Sequence, residues 1–175
     1  MTPSIDIRLA SMIRSMQDVI VPAIDPSNSL ACEQASLMIG HLNLLEQHWR
    51  RIFPYAQVCL DDLCTCASTL EPDGGPRTQG AAVDLDTAIA RDATDPEKKY
   101  QDCARALEAL VRAAAEDGTP AFQHQLESEV LAFSQRQVIR DRAWFAQSGF
   151  DIDSENLPSI DEVISGAVNS LEQTT

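Results

Sequence analysis

The sequence predicts an all-α protein, an antiparallel bundle of four main helices followed by a short C-terminal helix. Apolar residues recur at intervals of three and four over long stretches, which is the period of an amphipathic helix. No segment alternates apolar and polar residues in a way that would supply strands to a sheet. Predicted helix starts carry a capping residue followed by proline. These pairs are Thr2-Pro3, Asp25-Pro26, Asp95-Pro96 and Thr119-Pro120.

The first two helices are predicted over residues 3–20 and 26–70. The second is the longest, and we expect a kink or a break at Pro54, because the proline ring removes a backbone hydrogen bond and clashes with the preceding turn. Its apolar face covers more than half of the helix circumference, a width that suits a helix packed on two sides or meeting a second subunit. The centre of that face is formed by Ala31, Ala35, Met38, Leu42, Leu45, Trp49 and Ile52.

The remaining main helices are predicted before Gly118 and from Pro120 to about Gly149. Between them and the second helix, residues 71–95 are rich in turn-forming glycine, proline and aspartate, which predicts a long, mobile connection with one short helix. The inward face of the third main helix is predicted to hold Tyr100, Cys103, Leu107, Leu110, Val111 and Ala114. The length of 175 residues favours a single domain over residues 1–175.

The short last helix is predicted over residues 160–171, where Ser159 and Glu162 form a capping box. The segment from Asp151 to Glu162 also resembles an EF-hand loop, with oxygen-bearing side chains at the positions that bind calcium. These residues are Asp151, Asp153, Glu155, Ser159 and Glu162. Pro158 argues against calcium binding, because its position normally donates a backbone N–H. We therefore favour an acidic linker that leads into a capped helix.

Composition excludes several classes of function. The net charge is −14, with 27 acidic and 13 basic residues, whereas binding to nucleic acid or to an acidic membrane requires clustered lysine and arginine. No apolar run approaches the roughly 20 residues of a membrane span, and the N-terminal segment lacks the pattern of a secretory signal. With five cysteines, an odd number, the sequence predicts a cytoplasmic protein with reduced thiols.

A polar row lies within the apolar face of the second helix. Gln34, His41 and His48 follow one another at seven-residue intervals, so we expect them to point into a packed interior. Seven residues correspond to about 10.5 Å of helix rise, too far for the two histidines to share a metal ion. A polar counterpart is predicted on the fourth main helix, comprising Glu127, Gln137 and Asp141.

We interpret these six polar residues as an internal hydrogen-bond network, because a fully satisfied network specifies one packing arrangement. No catalytic motif, metal site or cofactor is predicted. The first hypothesis is therefore a non-enzymatic protein that acts through a homodimer or a protein partner. The alternative is a bundle that binds a small molecule or a metal, with or without catalysis, around His41 and His48.

Overall fold

The computed structural model describes residues 4–146 and 151–166. These residues are predominantly helical and contain no β-strand, only one bridge between Gly74 and Gly118, which confirms the all-α prediction. None of their helices is both long enough and apolar enough to cross a lipid bilayer. They form two compact units, unit 1 within residues 1–52 and 145–154, and unit 2 within residues 53–144 and 155–175. A single four-helix antiparallel bundle stays a prediction.

Unit 1 is built on two helical arms. Its helices are α1 (Ile5–Ser15), a π-helical turn (Met16–Ile20), α2 (Val21–Ala23) and α3 (Ser29–His48). The first arm ends at Ala23, whereas the sequence predicts its end at residue 20. In the π-helical turn the Val21 N–H donates to the Met16 carbonyl, one residue further back than in an α-helix. This wider turn accommodates Pro22 without ending the arm.

The two arms of unit 1 run antiparallel. Asp6 at the start of α1 accepts a hydrogen bond from Trp49 Nε1 at 2.9 Å and pairs with Arg50 at 2.5 Å, both just beyond the end of α3. The cap of α3 is Asn28, whose side chain accepts from the Ala31 N–H. The helix therefore begins three residues later than the Asp25-Pro26 pair predicts, because Asp25 accepts from Ser27 in a turn.

The predicted second helix is two helices, since residues 49–51 separate α3 from α4 (Ile52–Thr69). Pro54 is the third residue of α4. The first backbone N–H groups of any helix have no intrahelical acceptor, so a proline in this turn costs no hydrogen bond. The predicted kink at Pro54 is therefore absent, and the predicted break lies just before the proline, at residues 49–51, so that Pro54 falls in the first turn of a new helix.

Unit 2 continues with three long helices and a short one. They are α5 (Pro76–Ala90), α6 (Pro96–Asp117), α7 (Pro120–Phe145) and α8 (Ile160–Ile164). As predicted, α6 and α7 begin at their prolines, and α8 begins with a complete capping box between Ser159 and Glu162. The part of the last predicted helix over residues 167–171 lies outside the described residues.

Helix α5 replaces most of the mobile connection that we expected over residues 71–95. Its first residue follows Gly75, which has no side chain with which to cap the helix. The cap comes instead from Asp117, whose carboxylate accepts from Arg77 N and Thr78 N at 2.9 Å and from Thr78 Oγ1 at 2.6 Å. A cap that is 40 residues away in the sequence leaves no local signal, so composition alone predicts no more than one short helix within a mobile connection here.

The core of unit 2 draws on α4, α5, α6 and α7. Helices α5 and α6 are antiparallel, because the start of α5 meets Asp117 at the end of α6. Helices α4 and α7 are also antiparallel, since Gln125 near the start of α7 donates to the Thr69 carbonyl at the end of α4. The inward face predicted for α6 is confirmed at Cys103, Leu107, Leu110 and Ala114, whereas Tyr100 is half-buried and Val111 is exposed.

Candidate functional site

A buried ion-pair cluster lies between α4 and α7 in unit 2. Asp62 on α4 and Arg140 on α7 are 5% and 0% exposed, and the Asp62 carboxylate accepts from Arg140 Nη1 at 2.7 Å. Arg136, one helical turn earlier on α7, donates to the same carboxylate through Nε at 3.1 Å and Nη2 at 3.1 Å. One carboxylate thus faces two guanidinium groups in the interior, a geometry that supplies strong, directional hydrogen bonds.

Polar side chains extend this cluster along α7 toward the start of α4. Gln137 contacts Arg140 through its amide oxygen at 3.4 Å and donates to Asp141 at 2.9 Å. The Tyr55 hydroxyl donates to the same Asp141 oxygen at 2.7 Å. We call the whole set the α4–α7 network: Tyr55, Cys59, Asp62, Arg136, Gln137, Arg140 and Asp141.

The electrostatics of this network favour a structural role. Burial raises the pKa of the Tyr55 hydroxyl, and its hydrogen bond to Asp141 raises it further. Burial is also the largest cause of the raised pKa of the Cys59 thiol, which accepts from Gln137 Nε2 at 3.5 Å. A thiol and a phenol with raised pKa values stay protonated at neutral pH, whereas a nucleophile needs the ionised form. The arrangement therefore fixes the register of α4 against α7.

The structure brings two of the predicted site residues together. Gln137 and Asp141 are joined by a hydrogen bond within the α4–α7 network. Their partners on α4 are Tyr55 and Cys59, which the sequence analysis did not select for this role. Glu127 is exposed and lines a separate groove of about 490 Å³ between α6 and α7. Gln137 and Asp141 thus share a hydrogen-bond network with α4, whereas the predicted network with the polar row on α3 stays a prediction.

The sequence predicts that the whole polar row on α3 points into the interior, and the structure differs from this prediction. Gln34 and His41 are exposed, and only His48 is buried. Met38 and Leu45 from the centre of the predicted apolar face are also exposed, whereas Ala35 is buried. A helix with a very wide apolar face does not reveal which edge of that face is covered, and this ambiguity caused the error.

The acidic segment before α8 contains a helix cap. The Glu162 carboxylate accepts from the Ser159 N–H and hydroxyl at 2.7 Å each. It is therefore engaged in the capping box at the start of α8. Asp151 accepts from the Asp153 N–H at 3.0 Å in a local turn. Within residues 4–146 and 151–166, no group of three or more His, Cys, Asp or Glu side chains is arranged to hold a metal ion.

Asp62 and Arg140 are the residues that sequence reasoning missed. A faint signal exists, because Asp62 lies three residues after Cys59 and four before Cys66, which places a carboxylate on the buried side of α4. Arg136 and Arg140 are likewise one turn apart on α7. Only the packing of α4 on α7 shows that these charges meet.

The second candidate site is an apolar surface on unit 1. Large apolar side chains are exposed on both of its helical arms, and most of them are at least 40% exposed. On the first arm and α2 they are Ile5, Ile7, Met12, Val19, Ile20 and Val21. On α3 they are Leu30, Leu37, Met38 and Leu45. On α3 these exposed side chains lie along one side of the helix, and exposed apolar side chains grouped in this way are typical of a site of protein interaction.

Comparison of the chain with protein-family models, with curated proteins and with solved structures finds no match.

Proposed function

We propose that this chain is a non-enzymatic interaction protein that binds another polypeptide through the apolar surface of unit 1. The observation that carries the proposal is the exposure of large apolar side chains on α3, where Leu30 is 65% and Met38 is 53% exposed. Covering such side chains removes apolar area from water, which stabilises a complex by about 25 cal/mol for each Å² that is buried. An interface with a polypeptide would bury this surface.

The charge distribution supports the same surface. Unit 1 carries seven acidic and four basic residues, a net charge of −3, whereas unit 2 carries 20 and nine, a net charge of −11. Interface centres are depleted in charged residues relative to the rest of a protein surface. Unit 1 is the less charged of the two units and therefore the better candidate for an interface.

The alternative function, a small-molecule or metal site, receives less support from the placement of its residues. Gln137 and Asp141 are engaged within the α4–α7 network, and Glu127 lines a groove on α6 and α7. Gln34 and His41 are exposed on α3 of unit 1. Each of these residues is thus either exposed or engaged in another contact, and we keep the interaction function as the proposal.

Photo-cross-linking in living cells tests this proposal directly. A photoreactive phenylalanine analogue is placed in the full chain at Met38, and in a matched control at Val83, which is 63% exposed on α5 of unit 2. We expect a cross-linked polypeptide adduct from position 38 and none from position 83. Failure of position 38 to give any adduct at a normal expression level would contradict the proposed function.

A further inference from the structure

One line of exposed side chains on α3 has the same order of polar and apolar residues in both directions along the helix. We call its residues the α3 stripe: Leu30, Gln34, Leu37, Met38, His41 and Leu45. The intervals between them are four, three, one, three and four residues. In the same order the side chains are apolar, polar, apolar, apolar, polar and apolar. The stripe is therefore symmetric about the point between Leu37 and Met38.

This symmetry matches the requirement of a two-fold interface, in which one surface binds an identical surface and residue pairs are exchanged between the copies. If α3 packs antiparallel on α3 of a second copy about that midpoint, Leu30 meets Leu45 and Leu37 meets Met38. Gln34 then meets His41, and an amide and an imidazole can form a hydrogen bond. Each of these pairs occurs twice.

The charges of α3 fit the same arrangement. Its only carboxylates are Glu33 and Glu46, and neither belongs to the α3 stripe. About the same midpoint, Glu33 corresponds to Leu42 of the second copy and Glu46 corresponds to Ser29. No carboxylate of α3 therefore opposes another across the axis, so the helix pair itself contains no like-charge contact that would disfavour it.

We infer that a second copy of this chain covers the α3 stripe, with the two α3 helices antiparallel about a two-fold axis between Leu37 and Met38. This inference rests on the proposed function, because it names the partner of the same apolar surface. It assigns a place to Gln34 and His41, which are polar residues in an otherwise apolar stripe. Across the axis they oppose each other and fix the register of the pair, as polar residues do in paired helices.

Two double variants of the full chain test the pairing, with the dimer dissociation constant measured by analytical ultracentrifugation at about pH 7.5. In the variant Gln34→Lys with His41→Lys, like charges oppose each other across the axis. We expect its dimer dissociation constant to be at least about tenfold higher than that of the wild type. In Gln34→Glu with His41→Lys, opposite charges meet, and we expect a dissociation constant within about threefold of the wild-type value. Both changes lie at exposed positions, and circular dichroism verifies that helix content is retained.

The comparison between the two variants decides the arrangement, because they differ only in the sign of the charge at position 34. Equal weakening of both variants would overturn the antiparallel pairing, since a parallel pair places position 34 against itself. A monomeric wild-type chain whose position 38 cross-links only to a different polypeptide also overturns the inference, while the proposed function stands. A position 38 adduct with the mass of two chains supports both.

Discussion

At the scale of single residues, Asp62 is the centre of the buried ion-pair cluster of unit 2. Its carboxylate is the shared acceptor of Arg136 and Arg140, and Arg140 is 0% exposed. A buried guanidinium that loses its counter-charge pays a large desolvation cost. The cluster therefore stabilises the fold only when all of its members are present, because removing one of them leaves a charge in the interior.

Replacement of Asp62 by alanine is expected to lower the free energy of unfolding by about 3–5 kcal/mol, the usual cost of breaking a buried ion pair. Urea denaturation followed by circular dichroism measures this loss. The control is Asp61→Ala, which removes the same group from the neighbouring, exposed position on α4. We expect the control to change the free energy by less than about 0.5 kcal/mol, and equal effects of the two substitutions would refute the role given to Asp62.

At the scale of elements, the chain at the start of α5 closely approaches the end of α6. A Cβ atom added to Gly74 would lie 2.7 Å from the Asp117 carbonyl oxygen and from the Gly118 Cα. Both of these are backbone atoms, which cannot rotate away. A backbone bridge between Gly74 and Gly118 thus joins the start of α5 to the end of α6.

Two glycine substitutions in this region should have opposite effects. We expect Gly74→Ala to destabilise the protein by about 1–3 kcal/mol, because the added methyl group forces backbone atoms apart. Gly80→Ala lies in the interior of α5, where a Cβ meets no atom within 4 Å. There alanine is expected to stabilise by up to about 1 kcal/mol through its higher helix propensity. Melting temperatures of the two variants give the signs, and a shared sign would contradict this description of α5.

The elements also show what the sequence could predict. The starts of α6, α7 and α8 were predictable, because Asp95, Thr119 and Ser159 lie within three residues of the backbone groups that they cap. The start of α5 was not, since its cap is Asp117, which is distant in sequence. Pro54 misled the prediction for a related reason, because a proline in a first turn and a proline in a helix interior look alike without a boundary.

The candidate site was harder to predict than the helices. A helical projection groups Gln34 with His41 and Gln137 with Asp141, and both groupings agree with the structure. It does not tell which side of a helix meets a neighbour, so the α3 residues were assigned to the interior. It places Asp62 on the buried side of α4 but gives no information about the partners of this carboxylate, which become visible only when α7 packs on α4.

At the scale of the whole molecule, acid should weaken the fold. Hydrogen bonds hold the pKa of Asp6, Asp25, Asp117 and Glu162 below the ordinary carboxyl values. A carboxyl group with a lowered pKa in the folded state stabilises that state fully above its unfolded pKa, which is about 4. This contribution disappears as the pH falls through the lowered folded values, because folded and unfolded chains are then equally protonated.

The substitution Asp117→Asn isolates one of these groups. The hydrogen bond from Thr78 is the largest cause of its lowered pKa, and the backbone N–H groups of Arg77 and Thr78 add to it. We expect the variant to melt at a lower temperature than the wild type at about pH 6, and the difference to shrink at about pH 3. Asp84→Asn, an exposed change on α5, serves as the control. A difference that stays constant with pH would show that charge at Asp117 does not stabilise the fold.

The closure of α5 against α6 has a consequence for how the chain acquires its structure. These helices are neighbours in sequence, separated only by residues 91–95, and the contact between Gly74 and Gly118 joins their far ends. Contacts between near neighbours cost little loop entropy, so they form early when a chain folds. The pairing of α4 with α7 spans more of the sequence and requires Asp62 to find Arg140. We therefore expect the α5–α6 hairpin to fold first and to serve as the template on which α4 and α7 then assemble.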